Sequence, residues 1–317
     1  MKIFIIGGAG YIGSHMVKAT HKAGHEVITI DNLSTGHKDS VLYGKFELCD
    51  ILDTHTLKNL FIKYNPDAVM HFAAYSLVGE SSLNPYKYYH NNVSGSISLL
   101  KAMIDSNCKK LVFSSSASIF GNPVSIPITE DHPKVPINPY GRTKLMIEHI
   151  LKDFNSAYGL KYISLRYFNA AGHDSDGELK ERHNPETHLL PIIMQASRGE
   201  IDAVTIFGDD YETEDGSCVR DYVHIDDLVK VHLESLSLLS EKGFESSEFN
   251  VGSGVGYSVI DAIDEASNLT GVDIKTKTGM KRPGDPPVLI ASSKKLQKAV
   301  KVSINFKDLK NIIRSLM

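Results

Sequence analysis

The sequence predicts an α/β protein: an open, doubly wound parallel sheet with a smaller mixed α/β unit beside it. Three observations predict it. Short apolar runs alternate with helix-period segments up to about residue 167, the first run passes straight into closely spaced glycines, and the pattern changes to a polar loop and shorter elements after about residue 170. Alternation of strand and helix is how a parallel sheet is written in sequence, because each crossover needs a helix.

The expected strands are Lys2 to Ile6, Glu26 to Ile30, Lys45 to Cys49, Ala68 to Phe72, Lys110 to Ser114 and Lys161 to Arg166. Helices fit between them at Tyr11 to Ala23, Thr54 to Tyr64, Leu83 to Asp105 and Pro139 to Tyr158. Beyond the polar loop Gly172 to Thr187, the run Asp221 to Leu239 and the triplet Phe249-Asn250-Val251 read as a helix and strand that return to the sheet. The expected division is residues 1–170, with a returning segment near 221–251, and residues 171–317. At 317 residues the chain suits one large domain carrying a smaller one.

Gly7, Gly10 and Gly13 fit G-x-x-G-x-x-G, and Gly8, Gly10 and Gly13 fit G-x-G-x-x-G. Either spacing, between an apolar strand and a helix, suits a dinucleotide pyrophosphate. Glycine lets the backbone approach the phosphates and lets the helix pack close to the strand, and the N–H groups opening the helix face the anion. The second strand ends in Asp31, 18 residues after Gly13, near the distance at which an acid reaches the adenosine ribose. A carboxylate there repels a 2′-phosphate, so NAD is expected over NADP, with Lys38 close enough to soften the repulsion.

A net charge of −4 without long charged blocks argues against nucleic acid or a membrane surface as partner. Cys49, Cys108 and Cys218 are far apart and show no C-x-x-C spacing, so neither a disulfide framework nor a zinc site is expected, and the compartment expected is the cytoplasm. His15, His71 and His188 are read as packing or capping groups without metal-ligand spacing, and no metal is expected.

The strand from Lys110 ends in Ser114-Ser115-Ser116-Ala117-Ser118, and 24 residues after Ser116 comes Tyr140 of Tyr140-Gly141-Arg142-Thr143-Lys144. Asn138 suits an N-cap and Pro139 the first helical position, which puts Tyr140 and Lys144 four apart on one helical face. An adjacent ammonium and the positive helix end both favour a phenolate, making Tyr140 a candidate general base. A serine from the strand end would orient the substrate oxygen, with Ser114, Ser115, Ser116 and Ser118 in competition.

Taken together, the segments 7–15, Ile30 to Leu33, His71 to Ala74, Phe113 to Ser116, Tyr140 to Lys144 and Arg166 to Asn169 resemble the UDP-glucose 4-epimerase family, within the extended short-chain dehydrogenase/reductases. The likeness continues through Pro185 to Leu189, Ile206 to Gly208, Gly216 to His224 and Arg282-Pro283-Gly284-Asp285. It implies a Rossmann-type NAD domain, a nucleotide-sugar domain over residues 171–317, and tightly held NAD. It also implies interconversion of UDP-glucose and UDP-galactose by C4 oxidation, rotation of the 4-keto sugar and re-reduction. Tyr140 would take the 4-hydroxyl proton, Ser116 would bond the reacting oxygen, and Lys144 would also hold the nicotinamide ribose.

The resemblance further implies cofactor contacts at Tyr11, Ile12, Asn32, Phe72, Ala73, Ala74 and Tyr167, with Asp50 and Ile51 at the adenine. UDP-sugar contacts fall on Asn169, His188, Leu189, Phe207, Arg220, Arg282 and Asp285, and a homodimer through amphipathic helices is implied. Two arginines suit a pyrophosphate because each can bond it bidentately. Leu289 stands where strict family members tend to carry tyrosine, which implies partial acceptance of N-acetylated UDP-sugars. Ser76 replaces a lysine that some members carry near the pyrophosphate. The alternatives are a 4,6-dehydratase or decarboxylase on the same fold, and a silent sensor of NAD or a nucleotide sugar. Ser116-Ala117-Ser118 lacks the carboxylate a dehydratase needs, and a sensor has no use for Tyr140 and Lys144.

Overall fold

In a computed structural model, residues 1–282, 284–300 and 308–317 are described. Pro283, part of the motif starting at Arg282, lies outside them. The first half alternates as expected: β1 (Lys2–Ile6), α1 (Tyr11–Lys22), β2 (Glu26–Asp31), β3 (Lys45–Leu48), α2 (Thr54–Tyr64) and β4 (Ala68–His71). There follow α3 (Val78–Leu83), α4 (Pro85–Tyr88), α5 (Gly95–Asp105), β5 (Lys110–Ser116), α6 (Pro139–Tyr158) and β6 (Lys161–Tyr167). The second half begins with β7 (Asn169–Ala171), α7 (Leu189–Ser197), β8 (Val204–Phe207), β9 (Val219–Arg220), β10 (Tyr222–His224), α8 (Ile225–Leu238) and β11 (Ser247–Val251).

Seven parallel strands form the main sheet in the order β11-β6-β5-β4-β1-β2-β3. The chain therefore leaves β1 in one direction to β2 and β3 and returns on its other side to β4, β5 and β6. That reversal opens a crevice beyond the carboxyl ends of β1 and β4, where ligands of such sheets bind. The returning helix and strand are α8 and β11, and β11 extends the sheet at β6. Both sheet faces are covered. Ile3, Ile5, Val112 and Leu165 bury against the layer of α1 and α8, while Phe4, Ile6, Phe113 and Leu111 bury against that of α2, α5 and α6. Burial on both faces is why the strands read as continuous apolar runs rather than alternating ones.

The helix expected over Leu83 to Asp105 is interrupted. Pro85 has no N–H to continue α3, and Asn84 restarts the chain by accepting from the Lys87 N–H at 3.3 Å. Tyr89–Ser94 then winds as a π-helical turn before α5. This turn directs the fully buried Asn92 into a bridge between Tyr75 and Thr143, joining the loop after β4 to α6. By contrast α6 matches its expected bounds, with Asn138 capping Gly141 N–H at 2.8 Å and Gly159 ending it at a φ of +69°.

Close approach decides two glycines. A Cβ on Gly13 would lie 2.0 Å from the Gly7 carbonyl oxygen, and one on Gly141 would lie 2.3 Å from the Ser118 carbonyl oxygen. The first contact holds α1 against the β1 turn, and the second holds α6 against the end of β5. Gly13→Ala is expected to lower unfolding free energy by about 1–3 kcal/mol, because the opposing atoms are backbone and cannot rotate away. Urea unfolding followed by circular dichroism measures the loss, and an unchanged midpoint would contradict the packing argument.

Candidate active site

The crevice is a cavity of about 1050 Å³ that runs from the β1 turn to Arg282, Asp285 and Leu289. It lies at the upper end of the roughly 300–1,000 Å³ usual for a small-ligand site, and its lining reaches from one end of the crevice to the other. Gly7, Gly10, Tyr11, Ile12 and Gly13 form one end with Asp31, Asn32 and Ile51. Gly8 is not in the cavity wall, and a Cβ there would point at Thr29 and Ile5, so the 7, 10, 13 spacing is the one that faces the cavity. Gly7 has a φ of +79°, and a Cβ there would meet the Ala73 backbone nitrogen at 2.5 Å.

The N-terminus of α1 has Gly10 at its cap, no side-chain cap bond and no acid in its first turn. Its orphan N–H groups are thus left for an anion. Asp31 braces the turn: its carboxylate accepts from Ala9 N–H at 2.9 Å and Leu33 N–H at 2.8 Å. Burial pushes this carboxyl above its ordinary value, and those two N–H groups oppose the push. Among the sequence candidates Asp50 is the exception to the cavity wall. It accepts from Asn32 Nδ2 at 2.7 Å and from Leu52 N–H at 2.8 Å, locking the loop rather than facing the space.

At the middle of the cavity stand Phe72, Ala73, Ala74, Ser116, Tyr140, Lys144 and Tyr167. The serine competition resolves by partner. Ser115 is fully buried and donates to Glu148 at 2.6 Å, Ser114 pairs with the Tyr167 hydroxyl, and Ser116, whose Oγ accepts from Ser118 N–H at 3.2 Å, is the serine whose hydroxyl acts on Tyr140. Lys144 Nζ donates to the Ser114 carbonyl oxygen at 2.7 Å and lies 5.8 Å from the Tyr140 ring centroid. Burial pushes the Lys144 ammonium down to about 7, against the pull of Glu148 one turn along.

The expected lowering of the Tyr140 pKa is corrected here. Burial raises it, and the Ser116 hydrogen bond opposes the rise only in part. The Lys144 ammonium points at Ser114 rather than at the phenol oxygen, so desolvation wins.

Behind this group lies a network that spacing alone did not reveal. Arg166 Nε and Nη2 donate to the two Glu148 oxygens at 2.9 and 2.6 Å, and both side chains are about 1% exposed. Arg166 pairs in register with Ser115 between β6 and β5. One carboxylate thus ties α6, β5 and β6 together next to Lys144, Ser116 and Tyr167. The available signal was Lys144 to Glu148, four apart on the helix, with an arginine at the next strand's end.

The far end is lined by Asn169, His188, Leu189, Phe207, Arg220, Arg282, Asp285 and Leu289, so every substrate candidate lies in the wall. Ser76 and Asn91 join the lining near the loop after β4. The Arg282 guanidinium stacks 3.8 Å from the Phe207 ring centroid, and Arg220 Nη2 lies 3.7 Å from the Asp285 carboxylate. His188 does not cap α7 with its side chain. Its Nδ1 instead meets Glu186 at 2.8 Å, and although burial works against its charge, Glu186 and Glu181 raise its pKa. The reading of the histidines as free of ligand spacing also needs correction: Glu181, His183, Glu186 and His188 converge on one spot. The signal was the run Glu-x-His-x-x-Glu-x-His within a single loop.

His71 keeps its packing role, with Nε2 2.9 Å from Ser96 and burial pushing its pKa down to about 3. The three cysteines are buried and unpaired, and burial pushes the thiols of Cys49 and Cys108 up to about 12. Among the described residues no helix is long and apolar enough to cross a membrane.

Comparison with known proteins agrees with this geometry. The model of the NAD dependent epimerase/dehydratase family matches residues 3–252. The chain is 48% identical to the UDP-glucose 4-epimerase of Halalkalibacterium halodurans, over 94% of this chain and 89% of that protein. Among solved structures, the Brucella ovis UDP-glucose 4-epimerase in complex with NAD superposes with a TM-score of 0.95 at 44% identity, covering 99% and 96% of the two chains. The Bifidobacterium longum enzyme in complex with NAD+ and UDP gives 0.95 at 33% identity, over 100% and 97%. A glycine cradle at the switch point, a Ser-Tyr-Lys group at mid-cavity and this breadth of similarity make the chain a member of the NAD dependent epimerase/dehydratase family.

Proposed function

We propose that this protein is an isomerase that interconverts UDP-glucose and UDP-galactose through inversion at C4 with bound NAD. The observation that carries the reading is the single cavity that holds an anion-ready glycine turn, Ser116 with Tyr140 and Lys144, and Arg220 with Arg282. NAD fits the residues present, since Gly7 and Gly13 leave no room for a side chain and α1 offers uncapped N–H groups. When bound, NAD supplies the hydride acceptor and donor for the sugar C4 and a positive charge that offsets the cost of a buried phenolate.

The chain's own residues do the rest. Tyr140 takes the proton of the sugar 4-hydroxyl and returns it, one group serving as base and then acid. Ser116 holds the reacting oxygen against Tyr140, and Lys144, anchored on the Ser114 carbonyl, is assigned to the nicotinamide ribose. Arg220 and Arg282 hold the UDP pyrophosphate in place of the lysine that Ser76 replaces. Inversion requires the sugar to present both ring faces to one site.

Asp31, Asn32 and Ile51 are assigned to the adenosine half, and Asn169, Leu189 and Phe207 to the uridine half. The dehydratase reading loses support because the residues after Ser116 in the wall are Ala117 and Ser118, without a carboxylate. The functional unit is assigned as a homodimer, supported by Leu83, Ile97 and Met146, which stand 88%, 43% and 46% exposed on α3, α5 and α6. Buried free thiols suit the cytoplasm.

Proton NMR of the purified protein with UDP-galactose, without added NAD, tests the assignment. The gluco anomeric signal is expected to grow in. With UDP-N-acetylgalactosamine conversion is expected to be slower but present, because Leu289 lines the cavity without the bulk or hydroxyl of tyrosine. Activity confined to the non-acetylated pair would remove the Leu289 argument, and silence with both, even with NAD supplied, would remove the epimerase assignment.

A further inference from the structure

We propose that Glu181, His183, Glu186 and His188 form a binding site for one divalent transition-metal ion, of the zinc or cobalt kind, in the wall of the cavity. One ligand atom from each of the four lies within 4.8 Å of all the others. His183 Nδ1 faces Glu181 Oε1, while His188 Nδ1 stands 2.8 Å from Glu186 Oε1 and 3.8 Å from Glu181 Oε2. The two imidazole rings sit 5.0 Å apart and tilted 48°, and both Nδ1 atoms are turned to Glu181.

Burial makes this arrangement informative. The Glu181 and Glu186 side chains are only 4% and 8% exposed, and two carboxylates this close repel unless cationic charge lies between them. Each imidazole can place one proton on that shared edge. A divalent ion supplies the same charge at the centre of all four donors, at the roughly 2.0–2.2 Å that imidazole nitrogen and carboxylate oxygen take around zinc. Two nitrogens and two carboxylates select transition ions over magnesium and calcium, which prefer oxygen alone.

A second acidic group, Asp174, Asp176 and Glu178, lies nearby in the same loop and serves as a contrast. Its cation is built in: Lys18 Nζ lies 2.6, 2.8 and 2.6 Å from the three carboxylates. Both groups belong to the loop that joins β7 to α7. Its start is held at the glycine turn by the Tyr11 hydroxyl, which donates to the Gly172 carbonyl at 2.5 Å, and Arg182 pairs with Asp39 at 2.9 Å. An ion at the four-residue group would tie residues 181–183 to the foot of α7. It would thereby set the wall between the two halves of the cavity.

The test uses the full chain, treated with EDTA and dialysed, then titrated with ZnCl2 by calorimetry and with CoCl2 by visible absorption. One ion per chain is expected at micromolar affinity or tighter. Cobalt should give the intense d–d bands of four-coordination and paramagnetically shifted ring-proton signals from two histidines, while MgCl2 should give no heat. Glu181→Gln and His183→Ala are each expected to weaken binding about tenfold or more. Asp176→Asn, in the neighbouring group, is expected to leave it unchanged. The absence of saturable zinc binding, equal affinity in the ligand variants, or equal affinity for magnesium would overturn the site. Should a ligand variant fail to fold, the wild-type cobalt spectrum still decides, since lack of histidine-shifted signals overturns it.

Discussion

Replacing Tyr140 by phenylalanine is expected to lower turnover about 10²- to 10⁴-fold while leaving NAD bound, the range over which a positioned acid-base group acts. The substitution removes one oxygen and nothing else. The ring that fills the wall beside Lys144 stays, and Gly141, whose contact with Ser118 sets the helix against β5, is untouched. Ser116 keeps its bond from Ser118 N–H, so the reacting hydroxyl is held from one side only. The glycine turn, Asp31 and the open end of α1 are unaffected, which is why cofactor content should not fall. NMR turnover, together with NAD released on heat denaturation, measures both quantities on one sample. Full activity in the variant would remove Tyr140 from the chemistry, and loss of NAD would mean that the tyrosine holds the cofactor instead.

The parts of this protein legible in the sequence are those whose cause is local. β1, β2, β4, β5 and β6 are buried on both faces, so each reads as an apolar run bounded by turn residues. α6 carries its cap, its proline and its terminal glycine within its own span, and both ends came out where expected. The interrupted helix after Leu83 was also local, since Asn84-Pro85 is a helix start, but the apolar spacing over 83–105 masked it. Three further features are not local. Tyr140 carries a raised rather than lowered pKa because burial, set by the packing of β5, β6 and α6, outweighs the neighbouring ammonium. Asp50 turns to Asn32 because β3 pairs in parallel beside β2 and brings the two strand ends together. Arg166 and Glu148, 18 residues apart, meet only when α6 packs on the sheet against β6.

That last pair carries the largest expected change in stability. Arg166→Met leaves the Glu148 carboxylate about 1% exposed with the Ser115 hydroxyl as its remaining partner, at 2.6 Å. An uncompensated buried charge of this kind costs about 3–5 kcal/mol. Glu148→Leu strands the Arg166 guanidinium in the same way, although Nη1 keeps a 3.4 Å contact with the Glu130 carbonyl oxygen. Replacing both together removes the two charges at once and is expected to recover much of the loss, because the cost arises from breaking the pair rather than from lacking it. Urea midpoints of the two single variants and the double variant complete the cycle. Additive losses would mean that the side chains act independently and that the pairing contributes nothing. Strong recovery in the double variant, with turnover still depressed, would separate the two roles: apolar side chains can fill the space, but they cannot supply the carboxylate field one turn from Lys144 that offsets burial of its ammonium.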